Sequence, residues 1–111
     1  MVYNVKAFGL PKMKLADRET ILQYSTHAKR EALNDKFGVC TFPKTVNFAK
    51  VQVVEVEVLD NHITKFVIRD SMDSSRDLIL VVNPDGFVRT MWINLKNDNH
   101  RTLNVNNYSR P

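Results

Sequence analysis

The chain is predicted to adopt an α+β fold in which one or two N-terminal helices pack on a four-stranded antiparallel meander sheet. Three observations point there. Residues 51–59, 63–69, 77–82 and 87–94 are rich in β-branched and apolar side chains, largely in alternation with polar ones. The connections at 60–62, 71–76 and 83–86 are short and polar, and sequential strands joined so closely pair as hairpins. Ahead of them, residues 27–38 carry apolar side chains at helical spacing.

Taken in order, residues 1–16 show brief alternation that stops at Gly9 and Pro11, which suits either an edge strand or a loose arm. Asp17 can cap a helix, with Glu19 and Thr20 in its first turn and Ile21, Leu22 and Tyr24 for apolar contact. Ser25 or Thr26 offers a second start, so this helix either continues into the next or breaks at Ser25. The principal helix, 27–38, places Ala28, Ala32, Leu33 and Phe37 on one stripe, with Lys29, Arg30, Asn34 and Lys36 facing away. Gly38 suits a left-handed terminator. Residues 39–50 read as a crossover loop containing Pro43 and a short element at 46–48.

Alternation then sorts the sheet into two faces. Phe66 and Ile68 point one way, and Lys65, Val67 and Arg69 the other. On the last strand Val88, Thr90 and Trp92 oppose Phe87, Arg89, Met91 and Ile93. A helix layer covers one face only, so the face bearing Lys65 and Arg69 is expected to be basic and partly open. The side taken by Arg89 depends on register, which a slip of one residue reverses.

A chain of 111 residues has room for a single domain, 1–111, and its 43% hydrophobic and 25% charged content is ordinary for a globular protein. The longest apolar run, 78–82, is far short of the roughly 20 residues of a membrane-spanning helix, and no secretory leader opens the chain. A cytoplasmic protein without a membrane partner is expected. Cys40 is the one cysteine, which excludes an internal disulfide and fits a reducing compartment. The formal net charge of +4 tilts the choice of partner toward an anion.

Several short motifs go together. They are the run 25–30 containing His27-Ala-Lys-Arg30, the basic strand at 65–69, the strand 88–94 with Val88, Thr90 and Trp92, and the segment 98–103 with Asp98, His100 and Thr102, followed by Tyr108. In this set the chain resembles the RelE-like small ribonucleases of the barnase/EndoU/colicin/RelE superfamily, which include phage and polymorphic-toxin proteins. The resemblance covers about the last three-quarters of the sequence. It implies a metal-independent endoribonuclease acting on tRNA, mRNA or ribosome-associated RNA, with a protein inhibitor or host protein as partner. A phage-encoded protein or toxin of this kind would act in the host cytoplasm. No cofactor is implied.

Such cleavage needs a base for the 2′-hydroxyl, an acid for the 5′ leaving oxygen and cations for the charge on phosphorus. Imidazole, Arg and Lys suit these tasks near neutral pH. His27 and His100 are the acid–base candidates, with Arg30, Lys65, Arg69 and Thr102 on the phosphate. Arg89, Arg101 and Tyr108 are candidate substrate contacts. Lys65 and Arg69 lie four residues apart on one strand face, roughly 13 Å at strand rise. The three His residues show no HxH or HxxxH spacing, so no metal site is expected. His62, in a turn, receives no role. Two other readings keep the scaffold without the chemistry: a protein-interaction or host-takeover factor that uses the open sheet face, and an RNA binder that does not cleave.

Overall fold

The computed structural model describes the backbone of residues 2–4 and, with side chains, residues 15, 17–35, 37–38 and 41–97. The elements are β1 (Val2–Asn4), β2 (Thr20–Ile21), β3 (Gln23–Tyr24), α1 (Thr26–Leu33), β4 (Thr45–Val46), β5 (Gln52–Leu59), β6 (His62–Ser71), β7 (Arg76–Val82) and β8 (Phe87–Leu95). One mixed sheet runs in the order β1-β5-β6-β7-β8-β3, and β2 pairs with β4 in a small second sheet.

This corrects the expected α+β fold. The described chain is mostly β with one short helix. Strands β5 to β8 pair antiparallel in succession, but they form the middle of a wider sheet. β1 adds antiparallel to β5 at one edge, and β3 adds parallel to β8 at the other. The remainder of the expected arm, at 1, 5–14 and 16, lies outside the described residues, as does Cys40.

The helix expected from Asp17 is absent because its residues have other partners. Thr20 and Ile21 pair with Val46 and Thr45, while Gln23 donates to the Gly86 carbonyl at 3.0 Å. Residues 20–25 therefore form an extended bridge between the two sheets, in keeping with the preference of Thr, Ile and Tyr for strands. Asp17 instead accepts from Asn47 Nδ2 at 2.8 Å, alongside an exposed contact to Lys50.

Turn chemistry sets the register of the long strands. Asp60 and Asn61 both take positive φ, 51° and 64°, giving a two-residue hairpin turn whose twist matches its strands. Between β6 and β7 the Asp73 carboxylate receives the backbone amides of Ser75 and Arg76, at 2.9 and 2.8 Å, and the Arg76 guanidinium. Gly86, at φ 99°, closes the β7–β8 turn, and a Cβ there would collide with the Ile21 carbonyl oxygen.

Strand β8 departs from simple alternation. Val81 pairs with Thr90 but Val82 pairs with Val88, so Arg89 is the extra residue of a bulge. The phase shifts there. Val88, Met91 and Ile93 consequently enter one core cluster, where unbroken alternation would have set Val88 against the other two.

That cluster joins Ala28 and Ala32 of α1 and Leu22, Val46 and Phe48 to the sheet residues Val56, Phe66, Ile68, Leu78 and Leu80. The rings of Phe48 and Phe66 stack at 4.2 Å. Val54, Val67, Ile79 and Val81 form a second buried cluster, with half-buried Trp92 packed against it. Both faces of the central strands are therefore apolar.

Helix α1 spans eight residues, shorter than expected. Ser25 accepts from Ala28 N at 2.9 Å as its N-cap, while the same hydroxyl donates to the Arg89 carbonyl at 2.9 Å. Leu33, expected on the apolar stripe, is 72% exposed. Gly38 has positive φ but lies beyond the helix, which Asn34 caps. Its missing Cβ leaves room for Arg76 Nη1, which donates to the Phe37 carbonyl at 2.8 Å.

Candidate functional site

Two elements build the candidate site: α1, and the outer edge of β8 beside it. Ser25 fastens the helix start to the bulge, its amide on the Val88 carbonyl and its hydroxyl on that of Arg89. Asp35, just past the helix, accepts from Ile93 N at 2.8 Å and from Phe37 N at 2.9 Å. The helix therefore runs alongside β8, fixed at both ends.

Between those ends His27 Nε2 lies 2.8 Å from Oε1 of Glu31, one turn along. Thr90 Oγ1 donates to the same oxygen, so one carboxylate links the imidazole to the strand. The His27 side chain is 67% exposed, and Nδ1 has no partner among the described residues. Arg30 and Arg89 are exposed and make no ion pair among the described residues. Arg30 follows His27 by three positions on the helix, which places both on one flank.

The other candidates do not join them. Lys65 is half-buried and lies 3.6 Å from Glu57, its cross-strand partner. It belongs to β6, and β7 stands between it and β8. Arg69 is 8% exposed. Its Nε donates to Asp77 Oδ2 at 2.6 Å and its Nη2 to the Leu95 carbonyl at 3.1 Å. The open cationic sheet face expected from Lys65 and Arg69 is thus corrected: one cation is turned inward and the other faces a carboxylate. His100, Arg101, Thr102 and Tyr108 lie outside the described residues.

A groove of about 510 Å³ opens where the end of α1 meets β8, lined by Glu31, Asn34, Asp35, Phe37 and residues 91–94. Trp92 is half-buried on its wall and donates through Nε1 to Asn94 at 3.1 Å. Among the described residues, no group of three His, Cys, Asp or Glu side chains is placed to hold a metal ion. No described helix is long and apolar enough to cross a membrane.

The perturbed acids belong to the scaffold. The Arg76 guanidinium and neighbouring amides hold the Asp73 carboxyl well below its ordinary range. Burial opposes ionisation of Asp77, but hydrogen bonds from Lys96 and Arg69 outweigh it, and the net shift is downward. Burial pushes the Tyr24 hydroxyl up to about 12, and that group donates to the Pro43 carbonyl at 2.5 Å. These groups secure turns and strands.

Sequence reading passed over Glu31 and Asp35, and gave Thr90 a place in a motif but no role at the site. For Glu31 a signal existed, since His27 and Glu31 stand at positions i and i+4, neighbours on any helix. Thr90 and Asp35 meet α1 and β8 only through tertiary packing, which local patterns do not reveal. Chemically, the arrangement offers an imidazole whose Nδ1 has no partner among the described residues, together with the exposed Arg30 and Arg89. No family model, curated protein or solved structure matches the chain.

Proposed function

We propose that the chain is a small, cytoplasmic, metal-independent endoribonuclease of RelE-like character, with its reacting centre at the His27 corner of α1. The observation that carries this reading is the His27–Glu31 contact at 2.8 Å. A carboxylate on Nε2 fixes the ring and its tautomer, leaving Nδ1 to work as a base. Arg30 and Arg89, uncompensated by described carboxylates, serve the phosphate.

In the proposed reaction Nδ1 of His27 takes the proton of a ribose 2′-hydroxyl as that oxygen attacks phosphorus. The bond from phosphorus to the 5′ oxygen breaks, and this oxygen leaves with a proton supplied by an acid. His100 is the proposed acid. The products are a 2′,3′-cyclic phosphate and a 5′-hydroxyl. Arg30 and Arg89 offset the charge that builds on the phosphorane oxygens, a contribution that grows toward the transition state. Lys65 and Arg69 take no part, because each has a carboxylate partner in the sheet.

The test is incubation of the purified full chain with single-stranded RNA in EDTA, followed by analysis of the new ends. Cyclic phosphate termini that disappear with His27→Ala support the reading. Intact RNA removes it.

A further inference from the structure

We infer that, beside an RNA-cleaving centre at His27, Phe87 and Gln23 form a stacking subsite for an unpaired base of single-stranded RNA. The subsite rests on that reading of the chain, and three observations carry it.

The first is an uncovered aromatic ring. Phe87 opens β8 and is 40% exposed, and among the described residues no other ring packs on it. Its backbone is pinned: the amide donates to Asp85 Oδ1 at 3.0 Å, and the carbonyl accepts from Asn83 N at 2.9 Å. A ring held out in this way is a platform on which a base stacks, with little regard to sequence.

The second is the neighbour across the strand pair. β3 runs parallel to β8 with Gln23 in register with Phe87, so the two side chains leave the sheet on one side, with their strands about 4.8 Å apart. Gln23 is exposed, and its side-chain amide has no partner among the described residues. That amide offers both donors and an acceptor, which suits the edge of a base lying on the ring.

The third is the placement of charge. Val88 is fully buried, so alternation turns Phe87 and Arg89, on either side of it, away from the core, about 6.6 Å apart at strand rise. Arg89 is exposed and makes no ion pair among the described residues. Thr90, next along, holds the Glu31 carboxylate that lies beside His27. A nucleotide with its base on Phe87 can therefore set its phosphate at Arg89, toward the imidazole. Asp85 stands on the turn side of Phe87, which disfavours the reverse direction. A duplex hides the faces of its bases, so the fit is to single strands.

The test is binding of the full chain to a fluorescent single-stranded 2′-fluoro RNA hexamer, which lacks the attacking hydroxyl and stays whole. Anisotropy titrations are expected to show saturable binding, about tenfold weaker for Phe87→Leu, which keeps an apolar side chain but loses the ring, and retained in Phe87→Trp. Gln23→Ala is expected to weaken it about threefold. Leu33→Ala, at the far end of α1 and 72% exposed in the wild type, leaves it unchanged. No binding by the wild type, equal binding by Phe87→Leu, or an equal loss in Leu33→Ala overturns the subsite. The two readings fail separately. Ring-dependent binding with natural RNA left intact keeps the subsite and removes the catalysis, whereas cleavage indifferent to Phe87→Leu does the reverse.

Discussion

His27 Nε2 lies 2.8 Å from Glu31 Oε1 across one helical turn, and the carboxylate beside the imidazole is itself fixed to β8 by Thr90. A histidine on an exposed helix face ordinarily samples several rotamers. Here the ring is tied, through Glu31, to the strand that organises the groove. Replacing Glu31 with Gln keeps the side chain's size and removes the charged acceptor. Cleavage of RNA is expected to fall by about 10²-fold, with a changed pH profile. Steady-state rates across pH check this, and an unchanged profile would assign Glu31 a purely structural role.

Ser25 ties the helix to the sheet through both its hydroxyl and its amide. Ser25→Ala removes the cap on Ala28 and leaves the Arg89 carbonyl without its donor. A loss of about 1–2 kcal/mol is expected in urea unfolding. Ser25→Asp restores the cap but not the donor, so it is expected to recover part of that loss.

Arg69 distinguishes scaffold from site. Its guanidinium is buried against Asp77 and the Leu95 carbonyl, so Arg69→Ala leaves Asp77 with Lys96 as its remaining cation and the Leu95 carbonyl without that donor, and is expected to cost about 2–3 kcal/mol. The joint replacement Arg69→Met with Asp77→Leu removes both charges and is expected to recover most of that loss. Chemical denaturation of the three proteins checks it. A catalytic role for Arg69 would instead leave stability intact and depress cleavage.

Acid and alkali act on different groups. Asp73 and Asp77 have folded pKa values below their unfolded ones. Their stabilisation is therefore complete above the ordinary carboxylate value of about 3.9, and is lost as pH falls through the lowered folded values. Tyr24 has the opposite sign. Burial raises it to about 12, so stability is expected to drain away as pH rises from the unfolded value of about 10 toward that point. Thermal melts across pH check both limbs, with Asp77→Asn flattening the acid limb and Tyr24→Phe the alkaline one.

Much of the sheet was legible in the sequence, because the segments between 51 and 94 combine alternation with turns that Asp60, Asn61 and Gly86 can make. The two-residue strands were not. Thr20 and Ile21 are extended because Val46 and Thr45 lie opposite them, contacts between positions 26 and 24 residues apart. The bulge at Arg89 was equally hidden, since nothing in the local pattern marks one residue as extra. Once it is present, the faces of β8 change phase. Arg69 misled for a related reason: its charge is visible in the sequence, but Asp77 reaches it only through the β6–β7 register. His27 and Arg30 were legible because helix spacing alone places them on one flank.

The most direct measurement is cleavage of single-stranded RNA in EDTA by the wild-type chain and by His27→Ala, with both proteins shown to be folded. Fragments ending in 2′,3′-cyclic phosphate from the wild type, and a loss of about 10²-fold or more in the variant, are the expected result. RNA left whole by the wild type, or cut equally fast without the imidazole, would contradict it.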